Sequence, residues 1–163
     1  MEKIFKKHSF QVGFSFGITS AIITTLGLMI GLFSGTHSEI AVIGGVLTIA
    51  IADAFSDALG IHIAEESEKI HTHKEVWEST FYTFVAKFLF AIIFIFPILL
   101  LELATGIWVN IIIGLLLLAV LSFIIAEGSK KERLNVVAEH LVVAVVVIFF
   151  ANCAGQLISR YFG

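Results

Sequence analysis

Apolar runs longer than a soluble domain of 163 residues would use recur along this chain, and they decide what it can become. Each run holds about 20 residues or more, the length an α-helix needs to cross about 30 Å of hydrocarbon. The spacing predicts five spans, at about 10–33, 39–64, 79–101, 107–126 and 137–160. Hydrophobic residues make up 58% of the chain and charged residues 14%, against roughly 45–50% and about 25% in soluble domains. The segments of about ten alternating residues that mark a transmembrane barrel are absent. The expected fold is therefore all-α and polytopic, one five-helix transmembrane domain covering residues 1–163, in contact with a lipid bilayer.

Charge placement predicts an orientation. Lys3, Lys6, Lys7, Lys69, Lys74, Lys130, Lys131 and Arg133 fall on the side of the N-terminus, and only Arg160 falls on the other. Cations in short loops stay cytoplasmic, which puts the N-terminus inside and the C-terminus outside. Trp77 and Tyr82 near one interface and Trp108 near the other fit an aromatic belt. The basic start, Met1 to Lys7, resembles the flank of a signal peptide, but the run behind it is too long for a cleaved segment. Pro97, the one proline, is expected to kink the third span. Gly13/Gly17 and Gly27/Gly31 are small-xxx-small pairs that permit close helix approach, or are ordinary glycine use in a membrane helix. Cys153 is alone, so no internal disulfide can form.

Two acids stand inside the second run. Asp53 and Asp57 are one helical turn apart and share a face. A carboxylate kept in a membrane span is a functional-site hypothesis by default, and two on one face suit a divalent cation or a shuttled proton. Continued at helical spacing, the face takes in Gly60, Ala64 and Glu68, then His71 and Glu75 if the helix extends that far. Lys87 in the third span is expected at the depth of Asp57, roughly 10–12 Å from the interface, and an ion pair between them is the structural alternative. Asp53 has no obvious partner. The acidic, histidine-bearing segment 65–78 offers Glu65, Glu66, Glu68, His71 and His73 to gather cations at an entrance, or is a solvated helix extension. Ser20 and Thr24 polarise one sector of the first span, with helix packing as the plainer reading. Asn152 and Gln156, one turn apart, are placed to bond across the bundle. Carboxylate and imidazole together suit Mn²⁺ or Fe²⁺. No nucleophile–base pair, phosphate loop or haem pattern stands out, so no enzyme activity, permanently bound cofactor or nucleic-acid partner is expected.

Several stretches resemble the vacuolar iron transporter family, small five-helix Fe²⁺/Mn²⁺ transporters. Gly17-Ile18-Thr19-Ser20-Ala21-Ile22-Ile23-Thr24-Thr25 is similar to the family's first-helix pattern G-x-x-D-G-x-x-T-T. Ala52-Asp53-Ala54-Phe55-Ser56-Asp57-Ala58-Leu59-Gly60 resembles its second-helix pattern A-(D/G)-A-x-S-M-x-x-G. The Phe-rich third span with Pro97 and the ending Gly155 to Arg160 also fit. The departures are that Ser20 and Ile49 stand where the family has acids, and Asp57 where it has methionine. The long cytoplasmic metal-binding insertion is also missing, reduced to the segment after Glu65.

The resemblance implies a homodimer exporting divalent metal from the cytoplasm against protons, across a plasma or inner membrane rather than an organellar one. In a dimer, two Asp53/Asp57 pairs would meet near the two-fold axis, a set of carboxylates able to trade protons for a cation. Ser20, Thr24, Ser56, Gly60 and Lys87 would line the pathway. The alternative from another class is a non-transporting scaffold or assembly protein with Lys87–Asp57 as a structural pair.

Overall fold

The computed structural model describes residues 8–162, and these are helical almost throughout. The elements are α1 (His8–Thr36), α2 (Glu39–Glu68), α3 (His73–Ile93), α4 (Ile95–Leu100), α5 (Leu103–Ile125) and α6 (Lys130–Phe162). Counting α3 and α4 as one interrupted unit, His73–Leu100, five helices are long and apolar enough to cross a membrane. This is the architecture of an integral multi-pass protein. The basic residues Lys3, Lys6 and Lys7 lie outside the described residues. Of the other cations, Lys69, Lys74, Lys130, Lys131 and Arg133 flank connections at the His8 end of the bundle, and Arg160 lies at the opposite end.

Short connections force successive helices to run antiparallel. The α1–α2 link is His37-Ser38, with Ser38 as the N-cap of α2, its hydroxyl accepting from the Ala41 amide. At the other end, α2 stops where Lys69 takes a left-handed conformation, φ 57°. The chain restarts at Thr72, whose hydroxyl accepts from the Glu75 amide while the Glu75 carboxylate accepts from the Thr72 amide. This reciprocal capping box satisfies two of the amides that a helix start leaves open. Segment 65–78 is thus mostly two helix ends, and α3 begins six residues before the expected span at 79. Helix α6 likewise begins at Lys130 instead of 137. Polar residues extend both helices beyond the apolar runs, which is why hydropathy alone undercounts them.

Helix α1 is the centre of the bundle. It contributes Ile18, Ile22, Leu26 and Met29 to a core completed by Val42, Val46, Phe94, Ile98 and Leu118. Its glycines let neighbours approach. A Cβ at Gly17 would lie 2.8 Å from the Thr83 carbonyl and one at Gly13 would strike the Ser79 carbonyl, while one at Gly27 would lie 2.9 Å from Val147. Close approach is therefore what these glycines provide, to α3 at one end and to α6 at the other. Ser34 donates to Asn152 Oδ1 at 2.6 Å, the cross-bundle bond the sequence suggested for Asn152.

Pro97 breaks the third span as expected. Lacking an N–H, it cannot bond the Ile93 carbonyl, and its ring crowds that carbonyl. The helix is interrupted at Phe94. Buried Asn110 on α5 donates to the Phe94 carbonyl at 2.8 Å and so satisfies a backbone group next to the break.

The outward surface is apolar. On α2, Ile40, Leu47, Ile51, Phe55, Leu59 and Ile63 form an exposed stripe, about 100° around the helix from a packed stripe of Val42, Val46, Ala50, Ala54 and Ala58. Large apolar side chains facing outward are what a lipid-facing helix requires.

Candidate functional site

Lys87 is among the largest fully buried side chains of the described residues, 1% exposed. It projects from the face of α3 that also buries Ser79, Thr83 and Ala86, and Gly17 lets that face press against α1. A Cβ on Gly17 would lie 2.9 Å from the Ala86 Cβ and 3.2 Å from the Lys87 nitrogen. The ammonium is therefore delivered between α1 and α2.

Three oxygens receive it. Nζ donates to Ser20 Oγ at 2.6 Å and to Asp57 Oδ2 at 2.5 Å, and it forms an ion pair with Asp53 Oδ2. Ser20 in turn donates to Asp57 Oδ2 at 2.6 Å. An ammonium has three protons and no lone pair; it makes two hydrogen bonds here and an ion pair to the Asp53 carboxylate. Asp57 is the more tightly held acid, with both Lys87 and Ser20 on one oxygen. Asp53 meets Lys87 alone, with no hydrogen bond to the oxygen concerned.

Asp53 is thus not partnerless, contrary to the sequence reading. Two acids one turn apart on α2 are about 6 Å apart along the axis, and the long lysine stem reaches between them. With both acids ionised and Lys87 protonated, the cluster carries one net negative charge. The acids stay partly open, Asp53 26% and Asp57 19% exposed. Asp53 lines a groove of about 550 Å³ between α1 and α2, together with Leu28, Leu32, Thr48, Ile49 and Ser56.

The other residues expected to line a pathway are less involved. Thr24 donates to the Ser20 carbonyl at 2.8 Å, an ordinary intrahelical bond. Ser56 is exposed on the groove wall. Gly60 is exposed, and a Cβ there would meet nothing within 4 Å.

The acidic segment divides. Because α2 ends at Glu68, the Asp53/Asp57 face does not run on through His71 and Glu75 along one helix; His71 lies in the turn and Glu75 caps α3. Glu65 is 5% exposed and continues the packed face of α2, where it accepts from Ser79 Oγ at 2.7 Å. Its other oxygen lies 3.7 Å from Nε2 of His8. His71 stacks on His8 with ring centroids 4.9 Å apart, and its Nε2 is 3.1 Å from Glu68 Oε2. Glu66 is exposed. His73 is also exposed and accepts from the Trp77 indole at 3.3 Å. Glu65, Glu68 and His71 thus gather with His8, while Glu66 and His73 stand apart.

His8 and Ser79 were not singled out from the sequence. The four-residue spacing of Ala50, Ala54 and Ala58 marks the packed face of α2 and points on toward Glu65, a usable signal. Nothing comparable marks His8, which opens α1.

Fold and site together define a multi-pass α-helical membrane protein with a lysine clamped between two aspartates inside its bundle. No protein-family model, curated protein or solved structure matches this chain.

Proposed function

We propose that this protein is a membrane cation transporter in which Asp53 and Asp57 exchange the Lys87 ammonium for a divalent cation. The observation that supports this is the clamp itself. A tethered monovalent cation sits between two carboxylates on one helix face, and a mobile ion of twice the charge competes for the same oxygens. The groove beside Asp53 supplies an approach from the open side of the pair. Oxygen donors without thiolate favour a hard divalent ion, Mn²⁺ among the transition metals, as substrate, and the family resemblance adds Fe²⁺. An incoming divalent charge repels the Lys87 ammonium, which couples cation entry to loss of a proton and makes proton antiport the natural counter-flow. The bias of loop cations toward the His8 end favours that end as cytoplasmic, with export across a plasma or inner membrane. In a homodimer joined through α2, two such clamps would face each other.

A second reading rests on the same contacts. Two ammonium donors are hydrogen-bonded and the ammonium is also ion-paired with Asp53, contacts that a purely structural cluster in a scaffold protein would make as well. Flux of Fe²⁺ and Mn²⁺ into proteoliposomes under an imposed pH gradient separates the two. Transport by the wild type that is lost in Asp53→Asn and Asp57→Asn supports the exchange reading. Absence of flux from well-folded wild type favours the scaffold.

A further inference from the structure

We propose that His8, Glu65 and His71 form a binding site for one divalent transition-metal ion at the end of the bundle. Its ligand atoms come from the first turn of α1, the last turns of α2 and the turn that follows. One atom from each of the three residues lies within 4.8 Å of the others. This site does not rest on the transport reading. It shares no residue with the Lys87 clamp and lies about 12 Å along α2 from Asp57.

The geometry is that of ligands held slightly apart. Glu65 Oε1 and His8 Nε2 are 3.7 Å from each other, beyond a hydrogen bond. Two donors bound tetrahedrally at about 2.1 Å sit about 3.4 Å apart, so a small inward movement of exposed His8 brings this pair to coordination distance. Glu65 is preset. It is nine-tenths buried, and Ser79 on α3 holds its Oε2, leaving Oε1 on the side of His8. His71 is oriented on both sides, by the stack on His8 and by Glu68 at its Nε2. A carboxylate behind a ligating imidazole fixes the ring and strengthens it as a donor.

Two imidazoles and one carboxylate suit Zn²⁺, and also Fe²⁺ or Co²⁺. A bound ion would pin the start of α1 to α2 and to the 69–72 turn, with Ser79 adding α3 behind Glu65. The ion is a resident fastener of the bundle end.

The test uses the purified full chain in detergent, stripped with chelator and titrated with Co²⁺ by its visible absorption, then displaced with Zn²⁺. The expected result is saturable binding of one ion per chain at this site, separate from any ion held at the clamp. His8→Ala and His71→Ala should each weaken it at least about tenfold, and Glu68→Gln about tenfold. His73→Ala, at a nearby histidine that stands apart from the cluster, should leave it unchanged, and the double aspartate variant Asp53→Asn/Asp57→Asn should lose only an ion held at the clamp. Glu65 is buried and its replacement risks unfolding, so the substitution at exposed His8 is the decisive one, with helicity checked by circular dichroism. No saturable binding, or wild-type affinity in both histidine variants, overturns the site. Binding kept by His8→Ala and lost in the double aspartate variant overturns it as well, and assigns the ion to the clamp instead.

Discussion

Gly17 of α1 lies directly against the backbone of Lys87 in α3: a Cβ at position 17 would be 3.2 Å from the Lys87 nitrogen and 2.8 Å from the Thr83 carbonyl. Backbone atoms cannot swing aside as a side-chain tip can. Gly17→Ala should therefore push α1 from α3 and cost about 1–3 kcal/mol, as overpacking does. Gly60→Ala is the control, because nothing lies within 4 Å of its Cβ. It should be neutral or gain up to about 1 kcal/mol from helix propensity. Unfolding in mixed micelles measures both; equal effects would refute the packing argument.

Removing Lys87 strands two acids. Lys87→Met should cost about 3–5 kcal/mol, the range for breaking a buried pair from one side. Adding Asp53→Asn and Asp57→Asn to it should recover much of the loss, since no charge is then left uncompensated. Taken singly, Asp57→Asn should cost more than Asp53→Asn, because Asp57 also accepts from Ser20. A thermodynamic cycle over these variants reads the coupling directly, and additive effects would contradict it.

Asn110 matters through its buried amide nitrogen, which reaches Met29 Sδ at 3.8 Å as well as a backbone carbonyl. Its Nδ2 donates to the Phe94 carbonyl beside the Pro97 break. Asn110→Leu should remove this buried hydrogen bond and cost about 0.5–1.5 kcal/mol. In Pro97→Ala, where an N–H is restored and the interruption can close, the same Asn110 substitution should cost less. Thermal unfolding of the four proteins provides the comparison.

Acid should loosen the start of α6. The Ser129 amide donates to Glu132 Oε2 at 2.6 Å. This backbone bond, followed by the Ser129 side chain, holds the Glu132 carboxyl below its ordinary value, against a smaller opposing effect of burial. A folded value below the unfolded one means the contribution is present above the ordinary carboxylate range. It is lost as pH falls through the folded value. Amide exchange at 129–133, corrected for intrinsic rate, should quicken on acidification in the wild type. In Glu132→Gln it should be fast already and insensitive to pH.

The five spans were readable because bilayer thickness imposes a length on apolar runs that no other constraint mimics. Helix ends were less readable. The mostly polar stretch from Lys130 to Asn135 carries α6 outward beyond the apolar run, and the Thr72/Glu75 capping box lay unused inside a charged segment. The Lys87–Asp57 pair followed from counting depth. Lys87–Asp53 did not, because such counting locates Cα atoms, while a four-carbon stem reaches across a further turn. The cluster around Glu65 depends on a meeting between position 8 and positions 65–79, and no local pattern encodes a contact of that separation.

The clamp joins consecutive spans, with both aspartates on α2 and the lysine on α3, only a few residues of turn between them. That order bears on biosynthesis. A lone ionised side chain at the centre of an inserting helix costs about 2.5–3.5 kcal/mol, so neither helix is a comfortable solitary passenger in lipid. Entering as a hairpin, the two helices offset part of each other's charge. Ser20 on the preceding α1 is already in place to receive them, whereas α6, which buries only Ala144 and Gly155, contributes nothing to the clamp. The charged centre can thus be assembled before the last helix leaves the translocation machinery.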